Sequence, residues 1–215
     1  MSNNHVIQTA VLELMASRVC HDLISPVGAI NNGVEFLEEM GPEAGQDAID
    51  LIAHSAKVAS ARLQCFRIAY GMGGRDPSIK PWDVKDVFDN LVTLEQKVTQ
   101  DWDARGALGF DEYPEGFAKV LMGTLMLASE CLPKGGVIRA EAGEALGITT
   151  IIAEGENAAP RSNFVEALHL ELSPYEVEPV LVHPYVLGLL AKHYILEASF
   201  GKIEPQRVSI NIKAL

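Results

Sequence analysis

From Cys20 to Leu37 the apolar positions fall at Cys20, Leu23, Val27, Ile30, Val34 and Leu37, with spacings that alternate between three and four residues. A second stretch, Ile49, Ile52, Ala56, Ala59, Leu63, Phe66 and Tyr70, keeps the same alternation. A mean spacing of about 3.5 residues marks the seam of a coiled coil or helical bundle rather than an ordinary surface helix. Between the two stretches, Gly41-Pro42-Glu43-Ala44-Gly45 reads as a helix stop followed by a helix start. Upstream, Ile7, Ala10, Val11 and Leu14 extend the first helix, with the register drifting near Ser17. The pattern predicts an antiparallel helical hairpin over residues 1–75. A lone hairpin offers its stripe one partner helix, whereas two side by side close the seam as a four-helix bundle, so a homodimer is expected. The alternative is that these helices pack on the rest of their own chain.

Gly71-Met72-Gly73-Gly74-Arg75-Asp76-Pro77 ends this region. Neither G-x-G-x-x-G nor G-x-x-x-x-G-K-[ST] fits it, and it reads as a flexible linker. Beyond it the periodicities alternate. Val84 to Lys97, Glu115 to Glu130 and His183 to Glu197 carry helical patterns. Gly136 to Ala140, Gly147 to Ala153, Ala167 to Leu172 and Val208 to Ile212 read as strands between turns. The mixture predicts an α+β chain, with the hairpin followed by a two-layer α/β sandwich over residues 76–215.

Composition narrows the function classes. With 48% hydrophobic residues the chain has the material for a buried core. Its 29 acidic residues against 17 basic ones give a net charge of −12, a surface that repels phosphate backbones and anionic lipid. Neither nucleic acid nor a membrane is expected as a partner. No run reaches the roughly 18 apolar residues of a spanning helix. Met1–His5 has neither the basic segment nor the apolar stretch of a signal peptide. Cys20, Cys65 and Cys131 are odd in number and far apart, which suits reduced thiols in the cytoplasm.

The chemistry points to Arg18-Val19-Cys20-His21-Asp22-Leu23-Ile24-Ser25-Pro26-Val27. With Cys20 at heptad position a, as a small core residue, His21, Asp22 and Ser25 fall at positions facing away from the seam. Ser17, Arg18, Gly28 and Asn32 share that outer face, leaving room for another protein to approach the imidazole, with Arg18 and Gly28 as partner contacts. An exposed imidazole titrates near pH 6.5, so at neutral pH it is largely unprotonated and nucleophilic. Asp22 can accept a hydrogen bond from one ring nitrogen and leave the other free to attack. Pro26 removes the helical donor to the Asp22 carbonyl, at a cost of about 3 kcal/mol in a regular helix. A kink one turn after an exposed histidine shapes a docking surface. Elsewhere, His169, His183 and His193 show no zinc spacing, and Trp82 and Trp102 read as packing residues.

His21-Asp22-Leu23-x-Ser25-Pro26-Val27 resembles the H-box of sensor histidine kinases, and it lies in a dimerising hairpin of the matching kind. The resemblance implies that His21 is phosphorylated, that Asp22 activates it and that Ser25 neighbours the phosphoryl group. It also implies that residues 76–215 correspond to the ATP-binding domain of those kinases, with its nucleotide boxes eroded. The two asparagines of the N-box correspond to Gly123 and Leu127, and a leucine offers no oxygen to magnesium. The adenine-reading aspartate corresponds to Ala153, the second glycine of that box to Asn157, and the lid segment Pro179–Pro184 has no glycine.

Hairpin, H-box and eroded sandwich together resemble the ChpT-type histidine phosphotransferases of alphaproteobacterial phosphorelays. Such a protein is expected to bind no ATP and to have no cofactor of its own. It would exchange phosphoryl groups with the receiver domain of a hybrid histidine kinase and with response regulator receivers, which supply Mg²⁺. A divergent ATP-dependent histidine kinase and a non-catalytic dimeric adaptor are the alternatives.

Overall fold

The computed structural model describes residues 2–41 and 45–215, with the side chains of residues 2–8 and Arg75 left aside. Two long helices open the chain, α1 (Ser2–Met40) and α2 (Gly45–Ala69), packed against each other as the expected hairpin. Residues 42–44 of the anticipated turn lie outside the described residues. The two seams divide in a regular way. Leu23, Ile30 and Leu37 of α1 are half-buried, joined by buried Pro26 and Gly33, while Cys20, Val27 and Val34 are exposed. On α2, Ile52, Ala59 and Phe66 turn inward, and Ile49, Ala56 and Leu63 are exposed. One half of each seam thus meets the partner helix of the hairpin and the other half faces out. Cys20, expected in the core, belongs to the outward half. The helices approach closely at Gly33, where an added Cβ would come within 2.6 Å of Ile52 Cγ1.

The rest of the chain adds α3 (Pro81–Glu95), β1 (Val98–Gln100), α4 (Phe117–Glu130), β2 (Gly136–Ala142), β3 (Ile148–Glu154), α5 (Phe164–Leu168), α6 (Val182–His193), β4 (Leu196–Glu204) and β5 (Arg207–Ala214). The sheet order is β1-β2-β3-β5-β4, parallel between β1 and β2 and antiparallel elsewhere. Ile138, Ala140, Ile151, Ala153, Val208, Ile210 and Ile212 point to the helix layer and are buried. Thr150 and Asn211, paired across β3 and β5, hydrogen-bond on the other face. This is the expected two-layer sandwich, and the α+β class holds. α4 is its central helix, buried nearly all round from Phe117 to Ala128, as its apolar composition requires. α3 starts where Pro81 supplies a preset φ and Asp83 accepts the backbone N–H of Lys80 at 2.8 Å.

Two elements depart from expectation. Ala167 to Leu172, read as a strand, is the end of α5 and a turn. Phe164, Ala167 and Leu168 are all buried, and their spacing of three and four residues is helical. The helix expected to run to Glu197 ends at His193, because Ile195 takes a left-handed backbone (φ 56°) and the chain re-enters the sheet at Leu196.

The segment read as a flexible linker is an ordered turn. Met72–Arg75 forms a 3-10 turn, and a Cβ at Gly74 would lie 2.2 Å from the Ile68 carbonyl oxygen. These glycines permit close packing rather than slack. Lys119 of α4, almost wholly buried, sends its ammonium into the C-terminus of α2, 3.2 Å from the carbonyls of Ile68 and Ala69 and 2.5 Å from that of Gly71. A cation there answers both the unpaired carbonyls and the negative end of the helix dipole. Ala61, Cys65, Ile68 and Ala69 of α2 belong to the same apolar core as Val84, Phe88 and Leu121. The base of the hairpin is built into the sandwich.

Candidate functional site

His21 sits on α1 a little more than one turn before Pro26, and its side chain is 86% exposed. Its Nδ1 lies 3.2 Å from Asp22 Oδ1. The other carboxylate oxygen, Oδ2, accepts from Arg18 Nε at 2.7 Å. Asp22 is therefore held from one side while its free oxygen meets the ring. A carboxylate can only accept, so Nδ1 carries the proton and Nε2 keeps its lone pair, directed at solvent.

Arg18 reaches further. Its Nη2 donates to Glu130 Oε1 at 3.0 Å, at the end of α4. The same oxygen is 2.7 Å from Nδ1 of His183, a ring with no solvent exposure whose Nε2 lies 3.0 Å from the Gly123 carbonyl. Burial works to raise the Glu130 carboxyl, but His183, Arg18 and Arg161 together outweigh it and hold the group below its ordinary range. Burial likewise opposes the Arg18 charge, and Glu130 and Asp22 more than restore it, leaving that guanidinium above its ordinary value. Tyr70 closes the network with its ring edge-on to His183 at 5.9 Å. Its phenol is pushed up by burial and by Glu130.

Pro26 also has a visible consequence. The Asp22 carbonyl that it deprives of a helical donor accepts from Arg62 Nη1 of α2 at 2.5 Å. Arg62 in turn grips Glu95 of α3 through Nε at 3.1 Å and Nη2 at 2.7 Å.

Beside His21 a cleft opens between hairpin and sandwich. Ser17, Arg18 and Asp22 form one wall, and Arg161, Pro179 and Val180 the other. Pro179–Leu181 is a 3-10 turn leading into α6 and packs against α1. The stretch that the resemblance sets in the place of a kinase lid is here a wall of this cleft. Arg161 is exposed, with its guanidinium 6.0 Å over the Phe164 ring.

Of the residues expected on the outer face, Ser17, His21, Ser25 and Asn32 are exposed and Gly28 half-exposed, with nothing within 4 Å of where its Cβ would stand. Arg18 differs. It is turned inward onto Asp22 and Glu130, because two carboxylates lie within reach of its fork. Trp82 is exposed rather than packed and lies under Arg105 at 5.4 Å, whereas Trp102 packs on the core edge.

At the positions where the resemblance sets nucleotide ligands, Leu127 and Ala153 are fully buried in the core. Gly123 gives its carbonyl to His183, and a Cβ there would meet Leu187 Cδ1 at 2.8 Å. None of the three offers a side-chain oxygen. Among the described residues no group of three or more His, Cys, Asp or Glu side chains is placed to hold a metal ion, and no helix is long and apolar enough to cross a membrane.

The sequence matches the family model for the histidine phosphotransferase C-terminal domain over residues 81–204, more than half of the chain. The chain belongs to the histidine phosphotransferase family. Over 183 residues it is 38% identical to protein phosphotransferase ChpT of Brucella abortus (strain 2308), covering 83% of this chain and 84% of that one. A bacterial phosphotransferase solved at 1.7 Å superposes with a TM-score of 0.75 and 32% identity, covering 94% of this chain and 95% of that one. Membership makes this chain a phosphotransferase of histidine phosphorelays, with two-component proteins as its partners. The family match covers the sandwich from α3 to β4, and the His21 region lies ahead of it. Three side chains that bear on this region, Arg62, Glu130 and His183, carry no functional signal in the sequence. Only the proline that orphans the Asp22 carbonyl hints that a donor such as Arg62 is needed.

Proposed function

We propose that His21 is the phosphoryl carrier, taking the group from an aspartyl phosphate of one receiver domain and passing it to the aspartate of another. The observation that carries this reading is the His21–Asp22 pair. Nδ1 is engaged by a carboxylate, and the nucleophilic Nε2 stands in open solvent beside a cleft formed by both parts of the molecule. The Nε2 lone pair attacks phosphorus, an N–P bond forms, and the acyl-phosphate P–O bond breaks with its electron pair returning to the receiver's carboxylate. Asp22 stabilises the positive charge that the ring gains as the bond forms. The reverse reaction onto a second receiver has a similar driving force, since phosphoramidate and acyl phosphate are of comparable reactivity.

The donor is the receiver domain of a hybrid histidine kinase and the acceptors are response regulator receivers. They contribute the Mg²⁺ that neutralises the transferring group. The chain itself draws nothing from ATP, a reading supported by buried Leu127 and Ala153 where nucleotide ligands would stand. It acts as a homodimer in the cytoplasm. The split seams support the dimer, because Val27, Val34, Ile49 and Leu63 form outward apolar layers at heptad spacing on both helices. Two copies facing each other complete a four-helix bundle and leave both His21 rings outside. Arg161 on the far wall of the cleft faces the acidic pocket of an arriving receiver, and Ser25 and Gly28 leave α1 low enough for its approach.

Incubation with a phosphorylated receiver domain should give acid-labile, base-stable label on the wild-type protein and none on His21→Ala. Label persisting in His21→Ala removes the assignment, and label acquired from ATP alone removes the claim that the sandwich is inert.

A further inference from the structure

Asp22 is held twice, by two arginines that come from different helices and rest on different anchors. Arg18 holds its carboxylate and is anchored by Glu130 of α4, which is itself fixed by the fully buried His183. Arg62 holds its main-chain carbonyl and is anchored by Glu95 of α3. The first hold selects which carboxylate oxygen meets the imidazole. The second replaces the helical donor that Pro26 lacks, at the point where α1 would otherwise be least constrained. Both anchors belong to helices of the sandwich.

We propose that Arg18 and Arg62 are positioning residues that clamp Asp22 by its two ends, so that the sandwich fixes the tautomer and the direction of the His21 ring. The inference rests on the reading of His21 as the phosphoryl carrier. It gives the sandwich a task that needs no nucleotide, since its α3 and α4 carry the fixed carboxylates against which the nucleophile is aligned. Neither arginine touches the reacting atoms. Each acts through Asp22, and a bidentate fork is what lets one side chain hold both the aspartate and its anchor. A lysine at either position lacks the planar fork and holds the two partners with less directional control.

Two measurements on the full-length protein test this. Single-turnover transfer from a phosphorylated receiver reads the rate, and ¹⁵N chemical shifts of the His21 ring read the tautomer without any phosphoryl donor. Arg18→Gln and Arg62→Met should each slow transfer by about tenfold or more, the scale of a misaligned reacting group. Each should also move the ring from the Nδ1–H form towards a mixture of tautomers, with Arg18→Lys and Arg62→Lys intermediate. Pro26→Ala returns a backbone N–H to the Asp22 carbonyl. The Pro26→Ala/Arg62→Met protein should therefore regain the Nδ1–H ring, which the loss of a merely structural bridge to Glu95 would not allow.

Wild-type transfer and unchanged ring shifts in both single variants overturn the proposal. A double variant whose ring stays mixed overturns the part assigned to Arg62. Should a single variant fail to fold, Glu95→Met and Glu130→Met remove the acceptors and leave the arginines in place but unanchored, and rate and ring shifts then decide between the same outcomes. Loss of label from the wild-type protein itself is a different failure. It removes the carrier reading, while the ring shifts still decide whether the clamp sets the tautomer.

Discussion

The two ends of the hairpin are built on different principles. Towards the tip, between Pro26 and Ser60, the buried positions among the described residues are small or ring-constrained: Pro26, Gly33, Ala48 and Ser55. At the base, Ala61, Cys65, Ile68 and Ala69 enter the core of the sandwich, and a buried lysine closes the end of the helix. The tip carries outward apolar layers on both helices, and the base is part of a folded body. His21 stands at the boundary, on the base side of the proline, where α1 is still tied to the sandwich through Arg18 and has already turned its outer face to solvent. The proposed carrier role benefits from this placement, because a nucleophile held by a rigid body loses less freedom on docking than one on a mobile arm.

If the base and the sandwich are one body, a cavity in the shared core must loosen both. Phe88 of α3 is 1% exposed and lies in the core cluster that also contains Cys65 and Ile68 of α2. Phe88→Ala should cost about 3–5 kcal/mol. Urea unfolding followed by the fluorescence of Trp82 and Trp102, both in the sandwich, and by helical circular dichroism should show a single transition, moved to lower denaturant by both probes. Separate transitions, with the helical signal unmoved, would break the comparison at its root.

Lys119 is the next largest effect. Its ammonium serves three main-chain carbonyls at the end of α2, and burial leaves those oxygens no water to replace it. Lys119→Met keeps the length and apolar stem of the side chain and removes the donors. The expected loss is about 1–3 kcal/mol, together with faster amide exchange confined to the last turn of α2 and the Gly71–Arg75 turn. A stabilised variant would mean that the lysine is a burden the fold tolerates rather than the fastener of its base.

How far this design can be read from the chain depends on the range of the interactions. The hairpin, α3, α4, β2, β3 and β5 announce themselves, because apolar periodicity is a local property that survives in any context. The H-box is equally visible, since its histidine, aspartate and proline are near neighbours in sequence. Ala167–Leu172 misleads because its apolar positions alternate. The partner that makes α5 a helix, Phe164, lies three residues before Ala167, and only packing shows that both face the core. The glycines of residues 71–74 read as slack because a sequence does not show the Ile68 carbonyl that excludes a side chain at Gly74. The clamp on Asp22 is out of reach for the same reason. Arg18 and Glu130 are 112 positions apart, and nothing local to either one names the other.

The smallest effect on the fold is expected at the tip, where it separates folding from assembly. Val27 and Leu63 are 46% and 50% exposed and lie in the outward layers of α1 and α2. Within one chain neither contributes to the core, so Val27→Asp/Leu63→Asp should change the stability of the folded single chain by no more than about 0.5 kcal/mol per site. In a bundle of two hairpins the same aspartates would be buried opposite apolar side chains, where an unpaired charge is not tolerated. Sedimentation should therefore show a dimer for the wild-type chain and a monomer for the variant, with matching circular dichroism spectra. In the proposed bundle His21 lies outside the seam, and the side chains that hold Asp22 come from its own chain. The monomer should then still accept phosphate from a receiver, at a rate within a few-fold of the dimer if one hairpin and one sandwich suffice for docking. A monomeric wild-type chain would leave the outward layers unexplained, and a variant that loses helix as it loses its partner would show that the tip cannot stand without a second copy.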